Sequence, residues 1–74
     1  MIQQYVVTID VDAVRTRLRL ADHKPATRAQ ALLFLKALGF AETKWPGVFV
    51  GAGDAVSHLE SGEVVNVKPF GEHA

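Results

Sequence analysis

Asp10 and Asp12 stand two residues apart where an apolar run ends, in the stretch VVTIDVDAVRTRLRL at residues 6–20. Carboxylates are hard oxygen ligands, and two can hold Mg²⁺ or Mn²⁺ because the ion keeps several of its own waters. If the strand persists through residue 12, both side chains leave the same face of it. A two-fold axis would then gather four carboxylates, with Asp10 as metal ligand and Asp10 and Asp12 as the catalytic pair for phosphodiester cleavage. The competing reading is local: Asp10 accepts backbone N–H bonds at the strand end, and Asp12 caps the following turn or helix.

Beyond the aspartates, Arg15, Arg17 and Arg19 alternate with non-basic residues, and Lys24 and Lys44 follow. Residues 1–44 carry seven Lys/Arg against four Asp/Glu, and residues 45–74 carry one against four. The net charge is zero, yet the first half could present a basic face to a nucleic acid or a protein. Trp45, beside Lys44 in a turn, is suited to stacking on a base or anchoring a protein partner. Its other possible role is to fold over the sheet edge and enlarge a small core. His23, His58 and His73 are scattered without metal-site spacing, and Ser57 and Ser61 have no base at the spacing of a nucleophile. GAGD at residues 51–54 has one G-x-G and no lysine, which reads as a connecting turn and not a phosphate cradle. No cofactor is expected.

Several elements must position these residues. Residues 3–11 are β-branched or aromatic almost throughout, as in a central strand covered on both faces. Residues 12–26 carry both a helical face (Val11, Val14, Leu18, Ala21) and the alternation of the arginines, so they read as a short helix or an irregular arm stopped by Pro25. Thr27 and Gln30 form a capping-box pattern for a helix over 28–38, closed by Gly39. Its inward face is Ala31, Phe34, Leu35 and Leu38, which leaves Leu32 as a contact for a partner or a second copy. Strands at 40–44 and 48–50 flank Trp45-Pro46-Gly47-Val48, a type II turn. A two-turn helix over 54–61, capped by Asp54, and a last strand over 63–68 complete the chain.

This order predicts an α+β fold, the ferredoxin-like βαββαβ arrangement, with a four-stranded antiparallel sheet and helices on one face. One domain spans residues 1–70, with a mobile tail at 71–74. The 74 residues contain no cysteine, so disulfides and thiolate zinc cannot stabilise so small a core, and a homodimer joined by its uncovered sheet faces is the expected remedy. No stretch has the length of a membrane span and the start lacks a secretory pattern, which predicts a cytoplasmic protein.

Three motifs, VVTIDV, LKALGF and GVFVG, resemble those of the small dimeric nuclease-fold subunit of the CRISPR adaptation complex and its relative, virulence-associated protein D. The resemblance spans roughly residues 5–54. It implies a ferredoxin-like homodimer in which Asp10 holds a divalent metal with its symmetry mate. Gly47 stands where that superfamily usually has serine, and Val50 where it has glutamate. Three functions follow as expectations. The first is a small non-catalytic binding or regulatory protein of bacterial or phage type, such as an inhibitor, occupying a surface of a nucleic-acid machine. The second is a metal-dependent endonuclease using Asp10, and the third is an accessory subunit docked on a larger assembly.

Overall fold

The computed structural model describes residues 3–71. The chain forms β1 (Gln4–Ile9), α1 (Val11–Asp22), α2 (Arg28–Leu38), β2 (Ala41–Glu42), β3 (Val48–Ala52), α3 (Gly53–Ser57), a 3₁₀ turn (Ser61–Glu63) and β4 (Val64–Pro69). The four strands make one sheet in the order β2-β3-β1-β4, antiparallel at every pairing. Each long connection therefore skips a strand: β1 to β2 passes over β3, and β3 to β4 passes over β1. The α+β class and the antiparallel sheet are as the sequence predicts, and β1 is one of the two inner strands, beside β3. The element string differs, because the first crossover holds two helices instead of one.

The extra helix is the segment that read as helix or arm. Asp10 is its N-cap, with extended backbone, and its carboxylate accepts from Ala13 N–H at 3.2 Å. His23 ends it in the left-handed conformation at φ 57°. Val14 is buried, with Val11 and Leu18 half-buried beside it, while Ala21 of the expected face is exposed. The second helix carries the complete capping box, Thr27 Oγ1 accepting from Gln30 N–H at 3.1 Å and Gln30 Oε1 from Thr27 N–H at 2.8 Å. Gly39 closes it at φ 109°.

Val7 and Ile9 of β1, Phe49 of β3, Val14, Ala31, Leu35, Phe40 and Ala55 form one core cluster. Val7 lies opposite Phe49 and Tyr5 opposite Gly51, so these positions face the helices. Val6, Val48, Val50 and Ala52 line the other face and are half-buried. Phe40 packs edge-on against Phe49 at 6.3 Å between centroids. It fits only because residue 51 is glycine: a Cβ there would meet the Phe40 ring at 2.6 Å.

The second half is shorter than expected. In place of a capped helix over 54–61, α3 has five residues, its N-cap is Ala52, and Asp54 lies inside it. Ser57 Oγ donates to the Asp54 carbonyl at 2.6 Å. Gly53 and Asp54 belong to this short helix, so GAGD is the strand-to-helix connection. Of the expected mobile tail, residues 72–74 lie outside the described residues. Among the described residues no helix is long and apolar enough to cross a membrane.

Candidate binding surface

Trp45 heads a turn that the chain fixes from several sides. Pro46 and Gly47 (φ 78°) occupy its centre, and Val48 N–H donates to the Trp45 carbonyl at 3.1 Å, which is the expected type II geometry. Thr43 braces the turn: its hydroxyl donates to the Val48 carbonyl at 2.9 Å and accepts from Trp45 N–H at 3.1 Å. Ile9 N–H donates to the Gly47 carbonyl at 2.9 Å, tying the turn to the end of β1. Yet the indole is 61% exposed, with Lys44 Nζ 5.3 Å from its ring centroid. Trp45 does not fold over the sheet edge.

The aspartates do not form the strand-face pair. β1 ends at Ile9, so Asp10 becomes the helix cap and Asp12 falls in the first turn of α1, where it pairs with Arg15 Nη1 at 3.2 Å. Local backbone and a neighbouring charge satisfy both, as the capping alternative expects of Asp10, but the cap of the helix is Asp10 and not Asp12, because the helix starts at Val11 and encloses Asp12 in its first turn. Among the described residues no three His, Cys, Asp or Glu side chains gather as a metal cluster.

The arginines separate for the same reason. On a helix Arg15 and Arg19 share a face, and with Asp12, Thr16, Pro25 and Ala26 they border a shallow hollow. Arg15 Nε also donates to the Ala26 carbonyl at 2.8 Å, holding the α1–α2 connection. Arg17 turns the other way. Its Nε donates to Glu63 Oε2 at 2.9 Å and its Nη2 to Glu63 Oε1 and to the His58 carbonyl, and its guanidinium lies 5.1 Å from the Phe34 ring centroid. Sequence spacing could not place Glu63 opposite Arg17, since 46 positions separate them.

Glu63 is only 2% exposed. Its burial pushes the carboxyl pKa up, but the hydrogen bonds from Arg17 and from Glu60 N–H, together with the Arg17 charge, outweigh that and hold it below its ordinary value. The Glu63 hydrogen bond in turn raises the Arg17 pKa against the opposing effect of burial. Arg17 is thus a structural residue and not part of a basic arm. Every buried side-chain polar atom among the described residues has a partner.

Leu32 is half-buried and packs against the core, so the open leucine of α2 is Leu33, 66% exposed. Leu33 stands between two grooves. One, of about 580 Å³, runs from Leu32 and Lys36 to Phe40 and Glu42; the other, of about 380 Å³, is bordered by Leu18, Lys24, Gln30 and Phe34. Lys24 and Lys44 are both exposed, on separate connections. Comparison with family models, curated proteins and solved structures matches none of them.

Proposed function

We propose that this chain is a small non-catalytic binding protein that acts by occupying the surface of a larger protein, with Trp45 as its anchor. The observation that carries the reading is exposure combined with rigidity. An indole that is 61% exposed sits on a turn whose backbone is bonded to Thr43, to Val48 and, through Gly47, to Ile9. Such a residue offers large amphipathic contact area with little ordering entropy left to lose, the property of an interface anchor. A protein surface is favoured over a polyanion, because Arg17 is committed to Glu63, and Arg15 to Asp12 and Ala26. The same commitments leave Arg19, Lys24 and Lys44 to steer the encounter at the rim. Within this reading the role is that of a cytoplasmic regulator or inhibitor of a nucleic-acid machine, bound to the machine's protein surface. Endonuclease chemistry is the weaker reading, since Asp10 serves as a helix cap.

The test follows the only tryptophan in the chain. Partners captured on immobilised wild type are purified and titrated back, with emission and affinity recorded for wild type, Trp45→Ala and Asp10→Asn. The expected result is a blue shift on binding, a loss of at least tenfold in affinity for Trp45→Ala, and wild-type affinity for Asp10→Asn. Binding indifferent to Trp45 overturns the reading. So does Mg²⁺- or Mn²⁺-dependent cleavage of RNA or DNA that disappears in Asp10→Asn.

A further inference from the structure

The groove of about 580 Å³ lies beside β2, an outer strand of the sheet. Leu32, Leu33 and Lys36 of α2 line it together with Phe40, Glu42 and Phe49, and Leu33 is open to solvent. The backbone of β2 adds a second feature. Thr43 N–H donates to the Val48 carbonyl at 2.9 Å, and Ala41 lies opposite Val50. By the alternation of an antiparallel ladder, Ala41 and Thr43 turn their backbone groups toward β3, and Glu42 between them turns its N–H and C=O to the free edge. The Glu42 side chain does not shield that edge, because its carboxylate reaches back to Arg28 of α2 at 3.4 Å. Charge is the third feature. Lys36 borders the groove from the last turn of α2, exposed and, among the described residues, without an ion-pair partner. The carboxylate of the lining is already paired, so the charge left unmatched there is positive.

We infer that the groove takes an extended segment of a partner protein, which adds to the sheet as a strand beside β2 and carries apolar side chains at alternate positions with a carboxylate that meets Lys36. Each feature recognises a different part of such a segment. Glu42 supplies one main-chain donor and one acceptor, which pair with any sequence in the extended conformation. Every second side chain of the added strand turns to the helix side of the sheet, where Leu32, Leu33 and the Phe40 ring receive apolar groups. Lys36 selects against basic segments and fixes which residue of an acidic one stands beside α2. A helix laid in the same groove would make no use of the Glu42 main-chain groups. Trp45 follows Glu42 by three residues, no more than about 10 Å of chain, so a segment paired at Glu42 continues toward the indole. The segment so described belongs to the partner of the Trp45 reading, on which its use rests.

Peptides selected on the immobilised full chain from a random library displayed on phage serve as the probe, each then synthesised and titrated against soluble variants. The selected sequences are expected to alternate apolar residues and to carry Asp or Glu on the apolar face. Leu33→Lys and Lys36→Glu should each weaken binding at least about tenfold with an unchanged circular dichroism spectrum, and a peptide with lysine in place of its carboxylate should bind Lys36→Glu to within about threefold of the original pair. Glu42→Pro removes the outward N–H at a position that donates nothing to β3, and should also weaken binding about tenfold. Glu42→Gln, which loosens the Arg28 pair and keeps the N–H, should stay within about threefold of wild type. Peptides that bind as helices, that ignore Lys36→Glu, or that bind Glu42→Pro as tightly as wild type overturn the inference, as does a library that yields no peptide sensitive to Leu33→Lys. Self-association of wild type in sedimentation, abolished by Leu33→Lys, overturns it too, because the occupant is then a second copy. Binding lost in Trp45→Ala alone overturns this inference and leaves the Trp45 reading standing. Binding lost in Leu33→Lys and Glu42→Pro but kept in Trp45→Ala supports this inference and not that reading.

Discussion

Arg17 shows how position in a pattern and role in a structure come apart. Among three arginines spaced alike, it alone reaches inward, where it satisfies both oxygens of a carboxylate that would otherwise be buried without a counter-charge. Removing one partner of such a pair costs more than the pair contributes, because the other is left desolvated. Glu63→Gln should therefore destabilise the protein by about 2 kcal/mol at neutral pH, discounted for the partial exposure of Arg17. That is a drop of roughly 10 °C in thermal midpoint for a domain of this size. The pH dependence follows from the lowered Glu63 pKa. A carboxyl that titrates lower in the folded than in the unfolded chain stabilises fully above the ordinary carboxylate range and loses that stabilisation as pH falls through its folded value. The gap between wild type and Glu63→Gln should be constant from pH 7 to about 5.5 and narrow below about 4.5. Thermal melts across this range check it, and a gap that stays constant to pH 2 would contradict it. Trp45→Ala, which removes an exposed side chain, should by contrast move stability by less than about 0.5 kcal/mol in the same melts.

At the scale of elements, signals confined to a few neighbouring residues were legible in the sequence. The Thr27–Gln30 capping box, the Gly39 stop, the Pro46-Gly47 turn and the apolar β1 each depend on local backbone chemistry, and each is found where its residues place it. What could not be read depends on distance along the chain. The arginine alternation masked α1 because a salt bridge across 46 positions, invisible in one sequence, gives Arg17 its inward place. The expected aspartate pair failed because Asp10 caps that same helix. The length of α3 was overestimated because Val56 and Leu59 keep helical spacing while the chain leaves the helix after Ser57. Gly51 is a further case: sequence marks it as part of a turn, whereas the structure needs it inside β3 as a seat for the Phe40 ring. Gly51→Ala should cost about 2 kcal/mol, the usual range for overpacking. The same substitution should cost markedly less in a Phe40→Leu background, since the clash is with the ring. Denaturant unfolding of the four proteins in the cycle measures the difference, and additive costs would show that the contact is not the cause.

At the scale of the molecule, the eight buried apolar residues among the described ones come from β1, α1, α2, β3, α3 and the α2–β2 connection, and they form one cluster. Among the described residues no element has a separate core to fall back on. Leu35 sits in the middle of this arrangement, fully buried on α2 among residues contributed by both crossovers and the sheet. Truncating it should therefore act on every element at once. Leu35→Ala is expected to cost about 2–5 kcal/mol, against a total of roughly 4–11 kcal/mol for a domain of this length. Unfolding of the variant should remain a single transition. Circular dichroism and amide exchange can be compared for the α1–α2 pair and for β1 and β3. Protection in all of them should fall by the same free energy, with the β4 edge exchanging faster throughout because one side of it faces solvent. Helices that lost protection while the sheet kept its own would divide the chain into two units. The cluster argues against that division, because it joins Val7 and Ile9 of the sheet with Val14, Ala31 and Leu35 of the two helices in one core.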